Sequence, residues 1–194
     1  MFHRIPHRPL TDRQWAALRP YVEPDAPQGR PMRDLRHRMD GIFWLLTTDA
    51  PWREVPAEYG QAATVARHFR RLTQAGAWED LLVALHDFGP RHPLQGLRRV
   101  IFRAARRAAR IRGLRIIVLA RRLDFLEALP GPSWMVADPD LSKSLAAWQM
   151  QVYQNRGLHH FLRFIREWGK VIHSVLRLAG GRPNMPRSVR LAMA

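Results

Sequence analysis

Apolar residues recur every three or four positions through most of this chain, and that spacing confines it to helices. Leu35, Met39, Ile42, Phe43 and Leu46 form one such stripe, and Val65, Phe69 and Leu72 form another. Leu97, Ile101, Ala104, Ala108 and Ile111 form a third. The period predicts helices over residues 11–18, 34–48, 62–74, 78–88 and 97–112, with two more near 141–154 and 159–178. The expected class is all-α, with four helices in a helix-turn-helix-like N-terminal domain and a basic helical region behind it. One stretch, LRIIVLA at 114–120, fits a strand or a buried helix equally well.

The punctuation between the stripes sets the element ends. Thr11 followed by Gln14 is a capping box, and Leu10 before it can staple onto the helix. Pro20 is expected to end this first helix, and residues 19–33, rich in Pro and Gly, to run as a loop. Asp34 is the expected side-chain cap of the second helix. Gly60 and Gln61 precede the third, and Gly76 stops it. The expected N-terminal core is Trp15, Ile42, Leu46, Trp52, Phe69, Leu72 and Trp78. Phe88-Gly89-Pro90 and His92-Pro93 suggest a boundary, giving domains at 1–90 and 91–179 and a disordered tail at 180–194.

Charge then narrows the partners. The chain carries 32 Lys/Arg against 16 Asp/Glu, a net charge of +16. Residues 1–90 hold 12 Lys/Arg and 11 Asp/Glu, whereas residues 91–194 hold 20 and 5. A balance this basic points to a polyanion, with double-stranded DNA the expected partner. In the near-neutral half, contact must come from one local face. The third helix offers Gln61, Thr64, Arg67, His68, Arg70 and Arg71. In the basic half, ten arginines lie between residues 95 and 122, among them Arg103, Arg106, Arg107 and Arg110. Phosphate contacts from such a segment give salt-sensitive, sequence-independent affinity. An ordinary solvated face, or an anionic membrane surface, fits the same pattern.

Other chemistry finds little footing. With no cysteine, disulfides and thiolate metal sites are excluded. The histidines and carboxylates have no metal-ligand spacing, so no metal, cofactor or small-molecule substrate is expected. Asp138-Pro139-Asp140 reads better as a helix N-cap than as a metal pair. No run approaches the length of a membrane span, and the N-terminus lacks an apolar signal segment. The expected location is the cytoplasm.

Several blocks keep order and spacing over residues 10–85: Leu10-Thr11-Asp12 with Gln14-Trp15, Gly29-Arg30-Pro31, Asp34-Leu35-Arg36, and Asp40-Gly41-Ile42 with Trp44-Leu45-Leu46. Pro51-Trp52-Arg53, Thr64-Val65, Phe69-Arg70-Arg71 and Gly76 with Trp78 continue them. In these blocks the chain resembles the N-terminal domain of bacterial insertion-sequence transposases of the insertion-sequence-five family. The resemblance implies a helical DNA-binding domain ahead of a catalytic one. It departs at Thr48-Asp49-Ala50, where the family has a Thr-Gly-Cys-like turn. It departs again at Ala66-Arg67-His68, where Tyr-Arg-Arg is usual, so residue 66 lacks the side chain of the family's DNA contact.

The family's catalytic domain resembles ribonuclease H and holds two metals on three acidic residues. Beyond residue 91 this chain has only Asp124, Glu127, Asp138, Asp140 and Glu167, and no series of strands to carry them. The expected protein is therefore a transposase-derived DNA-binding protein without strand-transfer catalysis, alone, as a homo-oligomer or with full-length transposase. Two other readings stay open: a transposase with an unrecognised active site, and an interaction or inhibitor protein of full-length transposase.

Overall fold

A computed structural model describes residues 7–23 and 34–180, the Leu178 side chain apart. The helices are α1 (Asp12–Val22), α2 (Leu35–Thr48), α3 (Ala62–Ala75), α4 (Ala77–Asp87), α5 (Arg98–Arg112), α6 (Leu114–Arg122) and α7 (Pro139–Gly180), with short 3₁₀ turns between them. No strand occurs among the described residues, so the all-α class holds and LRIIVLA is helical. The chain divides into two compact units, Met1–Ile116 and Ile117–Ala194.

In the first unit, Thr11 and Gln14 form the expected capping box on α1. Pro20 does not end that helix, which continues to Val22. Pro20 forfeits its own N–H and crowds the carbonyl one turn back, yet the following turn closes, with Glu23 N donating to Arg19 O at 3.0 Å. Asp34 starts α2 without a side-chain cap: it sits at φ 58°, and its carbonyl accepts from Arg38 N at 3.0 Å. Along α2, Gly41 has a steric reason to be glycine, since a Cβ there would lie 2.6 Å from Tyr59 Cβ. The connection from α2 to α3 is not a tight turn but holds two 3₁₀ segments, Trp52–Glu54 and Ala57–Tyr59.

The core gathers where α2, α3 and α4 meet. Ile42, Leu46, Phe69, Leu72 and Trp78 are buried. The Phe69 ring lies 5.4 Å from both the Trp52 and the Trp78 rings. Trp78 Nε1 donates to Thr73 Oγ1 at 3.0 Å, which satisfies the indole in an apolar surround. Trp15 and Trp52 are only half-buried. Gly76, at φ +93°, lets α3 turn directly into α4 and donates to Leu72 O and Thr73 O.

Beyond residue 90, α5 clusters with the first unit and packs on α2, α3 and α4. The Gly/Pro-rich stretch is tied down rather than open: Gln95 Nε2 donates to Leu85 O and Phe88 O, both at 2.9 Å, and Phe88 stacks on His92. Ile101, Phe102, Ala104, Ala105 and Ala108 face inward from α5. With α5 included, residues 1–116 hold 21 Lys/Arg and 11 Asp/Glu, so the first unit is itself a polycation.

In the second unit, α7 is two helices broken at Gly157, whose φ of 72° no helix accommodates. Trp148 meets Phe164 edge-on at 4.7 Å and Tyr153 meets Phe161 at 5.7 Å, so the halves fold back on one another. Asp138 N donates to Ala179 O at 2.8 Å and closes this hairpin. The expected disordered tail, Gly180 apart, and residues 24–33 of the expected loop lie outside the described residues.

Candidate nucleic-acid interface

The third helix has two faces. Val65, Ala66, Phe69, Leu72 and Thr73 are buried, while Gln61, Arg67, Arg70, Arg71 and Gln74 are exposed and Thr64 is half-buried. The helix contains no carboxylate. Next along the chain, α4 exposes Asp80 and Asp87, so its surface has the opposite sign. The backbone N–H groups of the first turn of α3, with no side-chain cap at Gln61, reinforce the positive end of the helix.

His68 is only 4% exposed and so stands apart from that surface. It lies on the apolar stripe, three residues after Val65 and four before Leu72. Arg71 Nη2 lies 3.1 Å from His68 Nδ1. Burial, with the charges of Arg71 and Arg38, lowers its pKa to about 4. An unfolded histidine titrates near 6.5, so the unfolded chain binds the proton first as pH falls. The contribution of His68 is therefore complete above pH 6.5 and is lost progressively down to about 4. It amounts to at most about 3 kcal/mol, of which about 2 kcal/mol is gone by pH 5. Urea unfolding at pH 7 and pH 5 should show this loss in the native chain and not in His68→Asn. Equal losses in both would contradict it.

The arginines of α5 divide by what they touch. Arg103 Nη1 donates to Leu46 O and Thr47 O at 2.7 and 2.8 Å, closing the C-terminal carbonyls of α2. Arg107 lies 4.7 Å from the Trp52 ring centre, and burial chiefly, then Arg110, lowers its pKa. Arg112 Nε pairs with buried Glu79 at 2.6 Å and also reaches Gln74 O. Arg106 is half-buried, whereas Arg99, Arg110 and Arg115 are exposed. The structure thus brings Arg103 and Arg107 into internal contacts, which periodicity alone did not reveal. Arg110 stays on the surface with Gln61, Arg67, Arg70 and Arg71.

The aspartates of the second unit are engaged elsewhere. Asp138 Oδ1 accepts from Leu141 N at 3.2 Å, and Oδ2 pairs with Arg121 at 3.1 Å. Asp140 faces Arg122 and Lys143 at 3.5 and 3.7 Å. Among the described residues no group of histidines and carboxylates is arranged to hold a metal ion, and no helix is long and apolar enough to cross a membrane.

Residues 10–82 match the model of a protein family described as "Putative transposase of IS4/5 family". The chain is 32% identical over 79 residues to the "Insertion element IS402 uncharacterized 16.2 kDa protein" of Burkholderia cepacia, covering 37% of this chain and 54% of that one. It is 28% identical over 78 residues to protein y4sN of Sinorhizobium fredii, covering 39% of this chain and 62% of that one. The match therefore spans less than two thirds of either relative. No solved structure matches the chain. The family match covers α1 to α3 and the first half of α4, and stops before α5.

Proposed function

We propose that this chain is a DNA-binding protein derived from an insertion-element transposase, acting in the cytoplasm and presenting α3 to double-stranded DNA. The observation that carries this reading is the exposed face of α3. It sets Arg67, Arg70 and Arg71 on a helix without carboxylates, inside the transposase-like segment. In helix-turn-helix-like proteins one helix enters the major groove with the residues of its first turns at base edges. Gln61 and Thr64 occupy that end here. Arginine suits both jobs, since its planar fork pairs with guanine edges or with phosphate. Arg110 adds affinity without sequence preference.

The proposal includes no strand-transfer chemistry. That chemistry needs carboxylates free to hold two metals, and Asp138 and Asp140 are used as a helix cap and in arginine pairs. A second reading, association with full-length transposase or another copy, is favoured by one observation. Trp148, Met150, Leu158, Leu162, Trp168 and Val171 of α7 are all exposed.

The two kinds of contact separate by experiment. Replacing Arg67 and Arg71 by Gln should reduce discrimination between duplexes from the element ends and scrambled duplexes. Replacing Arg99 and Arg110 by Gln should weaken both equally and lower the salt dependence by about 0.9 in log–log slope per lost phosphate contact. If the Arg67/Arg71 variant discriminates as well as the native chain, α3 is not the reading helix.

A further inference from the structure

Position 68 on α3 would be filled best, as far as the core is concerned, by leucine. It continues the buried stripe of Val65, Phe69 and Leu72. Histidine there leaves Nε2 buried without a hydrogen-bond partner. A buried polar atom left in that state calls for a compensating role. The other ring nitrogen supplies one. Arginine can only donate, so Nδ1, 3.1 Å from Arg71 Nη2, must accept and the ring proton must sit on Nε2.

We infer that His68 is a positioning residue for DNA recognition, holding the Arg71 guanidinium in one orientation on the exposed face of α3 while remaining out of reach of DNA itself. The inference rests on the reading that α3 faces DNA. Arg71 follows His68 by three residues, which places the two side chains one above the other on the helix. Burial and the charges of Arg71 and Arg38 keep the ring neutral, which is the state in which Nδ1 can accept. A guanidinium restrained in advance meets its base edge with less loss of rotational freedom, and wrong base pairs cannot recruit it by reorientation. Sequence preference at the base pairs facing Arg71 then depends on a side chain that touches no nucleotide.

Two substitutions separate positioning from packing. His68→Leu removes the acceptor and the unpaired N–H together, and should leave the unfolding midpoint at pH 7 unchanged or higher. Its discrimination between element-end and scrambled duplexes should fall by at least about fivefold, the lower end of what one base-reading side chain supplies. His68→Asn, whose Oδ1 falls near the place of Nδ1, should keep that discrimination. Full discrimination in His68→Leu would overturn the inference. A readout without DNA tests the pairing itself. The ¹⁵N and ¹H titration of His68 should shift to higher pH in Arg71→Ala, with Nδ1 losing its acceptor signature. A titration unmoved by Arg71→Ala overturns the pairing, whereas failure of the native chain to bind either duplex overturns the reading of α3.

Discussion

A chain cut after Pro90 is expected to lose the cooperative unfolding transition of the first unit, although the cut spares every residue of the transposase-like match. The reason is the work that α5 does inside that unit. Ile101 and Phe102 are almost wholly buried, and each contributes about 1.5–3 kcal/mol by leaving water. Four buried alanines let the helix approach α2, α3 and α4 closely. Arg103 closes the carbonyls of Leu46 and Thr47, and Arg112 is the partner of Glu79, a carboxylate only 6% exposed. Removing that arginine leaves a buried charge unpaired, at a cost of about 3–5 kcal/mol. Together these losses reach the whole stability of a typical domain, about 5–15 kcal/mol. Thermal unfolding followed by circular dichroism measures this directly. A sharp transition in the shortened chain, at a midpoint near that of the native one, would mean that α5 is dispensable.

Phe69→Ala should be nearly as damaging, costing about 3–5 kcal/mol through lost burial and the cavity left behind. Phe69 is 2% exposed and lies between the Trp52 and Trp78 rings. No neighbour can collapse into the gap easily. Trp78 is anchored through its indole N–H to Thr73, and Thr73 Oγ1 in turn donates to Phe69 O at 2.8 Å. The Arg107 guanidinium lies over the Trp52 ring, 4.7 Å from its centre. Denaturant unfolding should show a lower midpoint at unchanged slope. An unchanged midpoint would refute the register assigned to α3.

Much of this architecture is legible in the sequence because it depends on local rules. The stripe of Val65, Phe69 and Leu72 places α3, the capping box of Thr11 and Gln14 starts α1, and Gly76 ends α3 where the left-handed backbone requires a glycine. Those signals act over one or two helical turns. What the sequence conceals is tertiary. Nothing local says that Arg103 will reach the end of α2 or that Arg112 will find Glu79, since both pairs join distant segments. The arginine periodicity of α5 therefore points to one wide cationic face turned to a polyanion. The Gly/Pro stretch near residue 90 suggested a boundary, yet Gln95 bridges it to α4. Pro20 and Asp34 misled for a related reason: a proline ends a helix, and an aspartate caps one, only where the surrounding backbone takes that geometry.

His68 was within reach of sequence reasoning. Its spacing from Val65 and Leu72 puts it on the apolar stripe, and Arg71 follows at the distance where helical side chains meet. The basic run around it, Arg67, Arg70 and Arg71, carries the stronger charge signal and masks that spacing. Its burial keeps it from the surface, while Nδ1 still meets Arg71.

The most direct test of the central claim is a salt titration of binding by the intact chain, using a duplex from the element ends and a scrambled duplex of the same length. Binding to both is expected at low salt, with a preference for the element end and a log–log slope of about −2.7 if Arg70, Arg99 and Arg110 each meet one phosphate. Absence of binding to either duplex at low salt would contradict it and leave association with another protein as the reading to pursue.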